Sequence, residues 1–104
     1  MKEIKAFVHR NRIADVVRAL RETGYRNITV IDVKGTLKAL DSKEQDYSIE
    51  LADRVITEVK LELVVEDKAA QKAVDLICKH GATGQGESGW VYTSEVATAR
   101  RIGE

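Results

Sequence analysis

Residues 83–89 read Thr-Gly-Gln-Gly-Glu-Ser-Gly. Glycines at this density let backbone N–H groups approach an anion closely, as phosphate-binding loops do. No Gly-Lys-Ser/Thr follows, so this is not a Walker loop, and it does not open a helix as a dinucleotide-binding GxGxxG does. Spacing alone leaves two readings open, an anion cradle or a flexible connection. Arg100 and Arg101 offer bidentate charge to a phosphate and equally suit a solvated chain end. Cys78 falls on a helical position expected to be buried, where a thiol packs rather than reacts. His9 and His80 lack ligand spacing to another His or Cys, so no metal site is expected. Trp90, at a strand start, suits a core, an interface or a stacking surface. No two carboxylates stand out as acid and base. No catalytic residue is expected, and the chain does not read as an enzyme.

These residues have to be positioned by a scaffold, and the longest patterned stretch is Val55–Val65. Val55, Thr57, Val59, Leu61, Leu63 and Val65 share one face of a strand, while Ile56, Glu58, Lys60, Glu62 and Val64 share the other. The first face needs an apolar layer against it. The second mixes aliphatic and charged groups and suits neither a dry core nor an ordinary wet surface. Before it, residues 2–9 alternate as a first strand, with Ile4, Ala6 and Val8 opposite Lys5, Phe7 and His9. Asn11 is a candidate cap for a helix carrying Ile13, Val16, Val17 and Leu20 at i, i+3, i+4 and i+7. Gly24 stands where a left-handed helix stop is wanted. Residues 26–34 are β-branched and alternating, and Gly35 ends that strand. Thr36–Asp53 has no sustained period and is dense in charge, which marks a long loop of the functional or mobile kind, or a partly helical one. After the long strand, Asp67 is a candidate cap, and Ala70, Ala73, Val74, Ile77 and Cys78 form a second helical stripe closed by His80-Gly81. Residues 82–89 form the glycine loop, 90–96 a fourth strand, and 97–104 a short tail.

The order β-α-β-loop-β-α-β predicts an α+β ferredoxin-like sandwich over residues 1–104, a single domain with both helices on one face of a four-stranded antiparallel sheet. The aliphatic side of Val55–Val65 then faces the helices. The mixed side, with Phe7, Ile31, Val33, Ile56 and Val64, lies on the uncovered face and suggests a partner, self-association first. With 17 Lys plus Arg against 17 Asp plus Glu, no global field recommends nucleic acid or an acidic membrane. No apolar run is long enough to span a bilayer, and the start MKEIKAFVHR has no signal core, so a cytoplasmic protein is expected. One cysteine allows no internal disulfide and fits a reducing compartment.

Several strings resemble the PII signal-transduction family, the nitrogen regulatory P-II proteins. They run nearly the whole chain: MKEIKAFVHRNRIADVVRALRETG, ITVIDVKG before the long loop, EVKLELVVED in the long strand, the loop from Thr83, and the arginine-bearing tail closing on Gly-Glu. The resemblance implies a regulatory homotrimer whose sheets pack around a central axis, with adenine nucleotide (ADP, ATP or AMP) as a regulatory ligand in clefts between subunits. Residues 36–53 correspond to the family's protruding T-loop, which docks on targets such as membrane transporters, 82–89 to its B-loop, and 97–104 to its C-terminal loop. Position by position, Thr29, Gly35, Glu62 and Val64 match the adenine-binding wall. Lys38 stands where the family has an arginine near the phosphates. Thr83, Gly84 and Gly89 match the phosphate-side loop, and Arg101 matches a tail arginine.

The departures shape the expectation further. The family's phosphate-binding lysine after the last loop glycine is Trp90. A loop glycine is Glu87, with Gly86 beside it as a substitute, and the second tail arginine is absent at its usual spacing, with Arg100 as its nearest replacement. One good charge-assisted contact is worth on the order of 1.5–3 kcal/mol, so weaker triphosphate binding or a preference for ADP or AMP is expected. Ala39 replaces a glutamine that helps hold magnesium and 2-oxoglutarate. Leu51 replaces the tyrosine that many bacterial members modify, and nothing moves that role to nearby Tyr47. Glu58 replaces the lysine that anchors the oxoglutarate carboxylate. A carboxylate there repels a dicarboxylic acid, so the alternative reading is a PII-like sensor of another small ligand, such as bicarbonate, a cyclic nucleotide or a metal.

Overall fold

Alternation becomes pairing in the computed structural model, which describes residues 1–32, 58–84, 86 and 88–103. Four strands, β1 (Lys2–His9), β2 (Thr29–Asp32), β3 (Glu58–Val65) and β4 (Gly89–Glu95), form one sheet in the order β2-β3-β1-β4. Each neighbour is antiparallel, with Ile4 opposite Leu63 and Thr93, and Thr29 opposite Glu62. Helices α1 (Ile13–Glu22) and α2 (Asp67–Gly81) complete the βαββαβ α+β fold expected from the pattern.

The two-residue period decides which side of the sheet the helices cover. Ile4, Ala6 and Val8 of β1 and Val59, Leu61, Leu63 and Val65 of β3 are buried. All of these but Val59 meet Val16 and Leu20 of α1 and Ala70, Ala73 and Ile77 of α2 in one core. No buried side-chain polar atom among the described residues lacks a hydrogen-bond partner. Polar ties close the layer from its edges. The Tyr25 hydroxyl donates to the Ala69 carbonyl at 2.7 Å, and Arg12 Nε donates to the His80 carbonyl at 3.0 Å. The latter serves an orphan carbonyl in the last turn of α2, where a cation also suits the helix dipole.

Four local expectations are corrected. Residues 26–28 do not belong to the second strand, because Asn27 has φ 58° and breaks the extended run before Thr29. Asn11 does not cap α1. The cap position is Arg12, which makes no side-chain cap bond, while the Asn11 N–H is turned onto His9 Nδ1 at 3.2 Å. Asp67 is likewise not a cap but the first residue of α2, after Glu66. Its carboxylate pairs with the Met1 α-amino group at 2.9 Å, and that bond holds its pKa below the ordinary value. Cys78 is exposed rather than buried, because it lies about 100° round the helix from buried Ile77. Gly24 takes the expected left-handed conformation, at φ 105°. The expected strand start Val55–Thr57, with Val33 and Gly35, lies outside the described residues.

Candidate functional site

The sheet face that the helices leave open is built from alternate residues in register. One row across it is Ile31, Lys60, Phe7 and Trp90, and the next is Thr29, Glu62, Lys5 and Tyr92. Val64 and Glu3 form the row beyond. The face is more apolar than ordinary solvent-facing sheet, with Ile31 and Val64 exposed and Trp90 and Tyr92 more than half exposed. Thr29, Glu62 and Val64, expected as a ligand wall, do share this face, and Thr29 and Glu62 are direct cross-strand partners.

Two lysines and two glutamates on the open face form a network, and Glu58 lies on the same face beyond them. Lys60 Nζ sits 2.8 Å from Glu62 Oε1, and Lys5 Nζ lies 3.9 Å from that oxygen and 3.7 Å from Glu3 Oε1. The Lys60 hydrogen bond, helped by the charges of Lys60 and Lys5 against a smaller opposing cost of burial, pulls the Glu62 pKa below the usual carboxylate value. Glu62 is therefore a charged acceptor at neutral pH. At the end of β2, Arg10 grips Asp32 through two bonds, Nη1 to Oδ2 at 2.7 Å and Nη2 to Oδ1 at 2.8 Å. That fork ties the turn after β1 to edge strand β2.

The glycine loop occupies the opposite edge. Its neck is closed by Ser88, whose Oγ accepts the Thr83 N–H at 3.0 Å and lies 2.8 Å from Thr83 Oγ1. Gly84 has φ 87° with open space around it, and Gly86 is equally open. Gly89 differs, since a Cβ there would fall 2.1 Å from the Phe7 carbonyl oxygen. A cavity of about 260 Å³ lies beside the loop, lined by Phe7, Ile77, Cys78, Gly86, Ser88 and Trp90 among others. Arg100 and Arg101 are exposed on the tail beyond β4.

One chain does not gather all these residues at one point. Thr29 on β2 and Gly89 on β4 are separated by three strand spacings across the sheet, roughly 14 Å, and by three residues, about 10 Å, along the strands. Gly35, Lys38, Glu87 and the stretch 36–53 lie outside the described residues. Lys5, Lys60 and Tyr92 were not among the expected site residues, although alternation of Trp90 and Tyr92 along one strand was a readable signal. Among the described residues no group of three or more His, Cys, Asp or Glu is placed to hold a metal ion, and no helix is long and apolar enough to cross a membrane.

The family model described as nitrogen regulatory protein P-II matches residues 1–104. The chain is similar to nitrogen regulatory protein P-II of Rhodospirillum rubrum, 33% identical over 106 residues, covering 100% of this chain and 95% of that protein. It is also similar to nitrogen regulatory protein P-II 1 of Escherichia coli K12, at 32% over 102 residues, 98% of this chain and 91% of that one. The P-II 1 protein of Methanothermobacter thermautotrophicus is 28% identical over 102 residues, 98% of this chain and 89% of that one.

Proposed function

Because the chain belongs to the nitrogen regulatory protein P-II family, a family of signalling regulators, we propose that it is a cytoplasmic homotrimer that binds an adenine nucleotide between neighbouring subunits. Loop 36–53 then controls a protein target, a membrane transporter being the target class suggested by the resemblance. The observation that carries this reading is the register that sets Thr29 against Glu62 on an open sheet face, with the glycine loop on the far edge. Two such edges from adjacent copies make a cleft with a base-recognising wall on one side and backbone N–H groups on the other. Thr29, Gly35, Glu62 and Val64 hold the base. Lys38, Thr83, Gly84, Gly86, Gly89, Arg100 and Arg101 serve the phosphates.

Calorimetry with ATP, ADP, AMP and cyclic AMP tests the reading. Micromolar to millimolar binding of at least one is expected, with ADP or AMP held no more weakly than ATP. Arg101→Ala is expected to weaken binding about tenfold or more, the value of one charge-assisted contact. Silence with all four ligands at millimolar concentration sinks the proposal.

Glu58 favours a second reading in which the ligand set no longer includes 2-oxoglutarate. It opens β3 opposite His9 and presents a carboxylate where resemblance places an anchoring lysine. Addition of magnesium and 2-oxoglutarate to the ATP titration is expected to leave the isotherm unchanged. A clear gain in ATP affinity on adding oxoglutarate refutes the argument from charge.

A further inference from the structure

The strand that carries Thr29 is lightly held. β2 has four residues, all exposed, and a single strand neighbour, β3. Even Val30, opposite buried Leu61 on the helix side, is 45% exposed. The core therefore does little to hold β2, and segments with so little buried apolar contact open most readily. Its last residue, Asp32, is nevertheless gripped by the two bonds from Arg10. That grip crosses a strand. Asp32 shares its row with Val59 of β3 and Val8 of β1, so Arg10 reaches from the turn after β1 over two strand spacings, about 10 Å. The turn is itself anchored. The Arg12 N–H donates to the His9 carbonyl at 2.8 Å, Arg12 Nε to the His80 carbonyl at 3.0 Å, and Arg12 Nη1 lies 3.2 Å from Asp15 Oδ2. Two short, parallel, charge-assisted bonds mounted on a fixed turn hold direction as well as distance, which an ordinary surface ion pair does not.

We propose that Arg10 is a positioning residue for the ligand wall: through Asp32 it holds the end of β2 on the sheet and so keeps Thr29 set against Glu62. Thr29 and Asp32 are the two ends of the same short strand. If the Asp32–Val59 and Ile31–Lys60 pairs part, only those of Thr29 and Val30 remain. Register is weakly specified where neither face of a strand is buried, so a ladder that short does not keep Thr29 in place. A ligand that needs Thr29 and Glu62 together binds only molecules in which they are paired, and its affinity falls with that fraction. The role in binding rests on the nucleotide reading above, and the hold on β2 rests on the fork.

Arg10→Gln, Asp32→Asn and the double variant are compared with the parent as full chains, by ligand-free amide hydrogen exchange, chemical denaturation and calorimetry with ADP. In each single variant, exchange over residues 29–32 is expected to rise by up to about fivefold, the range of one exposed ion pair. Residues 2–9 exchange as in the parent, and the denaturation midpoint hardly moves. The double variant is expected to exchange no faster than either single one, because both substitutions remove the same contact. ADP is expected to bind measurably more weakly, by a factor no larger than the rise in exchange. Arg10→Lys keeps the charge without the fork and is expected to recover part of the protection. Unchanged exchange over residues 29–32 in Arg10→Gln overturns the proposal, as do single effects that multiply in the double variant. Faster exchange with ADP affinity unchanged overturns the role in binding and leaves the nucleotide reading intact. Failure of the parent to bind ADP, ATP, AMP or cyclic AMP sinks that reading and the binding role together, while exchange still decides whether Arg10 holds β2.

Discussion

Replacing Gly89 with alanine is expected to destabilise the protein by about 3 kcal/mol, from a strained backbone and an impossible contact acting together. Gly89 has φ 145°, a conformation that side-chain-bearing residues rarely adopt. Its added Cβ would sit 2.1 Å from the Phe7 oxygen and 3.2 Å from the Phe7 carbonyl carbon. Both are backbone atoms inside the sheet, so no rotamer change relieves the clash. The end of β4 has to part from β1 where Gly89 opposes Val8, carrying Trp90 with it. For a chain of this size the loss corresponds to a fall of roughly 10–20 °C in melting midpoint at fixed protein concentration. Gly86→Ala is the control. It meets nothing within 4 Å, and its effect should stay within about 0.5 kcal/mol. A Gly89→Ala protein that melts within a few degrees of its parent rules out the steric account. Glycine at 89 was expected for its closeness to a phosphate, yet the first demand on it comes from strand pairing.

That difference marks how far the residues alone can be read. The βαββαβ order and the buried set were legible because a two-residue or 3.6-residue period is written along each element. Val59, Leu61, Leu63 and Val65 could face only one apolar layer. Contacts between elements leave weaker traces. Asn11 and Asp67 have the right chemistry for caps, but capping depends on local φ and ψ, and the chain instead spends the Asn11 N–H on His9 and the Asp67 carboxylate on the α-amino group. Cys78 sits at the border of an apolar stripe, where burial depends on what packs beside α2. Of the candidate site, Glu62 and Val64 were readable as one face. The pairing of Glu62 with Thr29 was not readable from the pattern, only through the resemblance, since the register of β2 against β3 is set across a long intervening segment. Nothing in the sequence marks Lys5, Lys60 and Tyr92 as neighbours of that site, for a similar reason. Each is ordinary alone, and only the order β2-β3-β1-β4 makes Tyr92, Lys5, Glu62 and Thr29 one row.

The two faces of β3 can be separated by a pair of substitutions three residues apart. Leu61→Ala is expected to cost about 2–5 kcal/mol, the transfer energy of the lost atoms plus the cavity they leave. Leu61 is 0% exposed, lies opposite Ala6 and Val30 in the centre of the sheet, and belongs to the cluster joining both helices. Its neighbours are held by the sheet ladder on two sides, so the site collapses little and the upper half of the range is the expectation. Val64→Ala removes a similar aliphatic group from a side chain that is 46% exposed on the other face. Little core packing depends on it, and its cost in the isolated fold should stay below about 1 kcal/mol. Under the proposed function the ranking reverses in a nucleotide titration. Val64→Ala weakens binding while melting near the parent temperature. Leu61→Ala, assayed well below its lowered midpoint, retains affinity in the fraction that is folded. Chemical denaturation and calorimetry on the two variants measure both quantities. Equal stability losses in the two would mean that the open face is itself part of a packed core, and the division between a face that holds the helices and a face left for a ligand or neighbouring subunit would have to be abandoned.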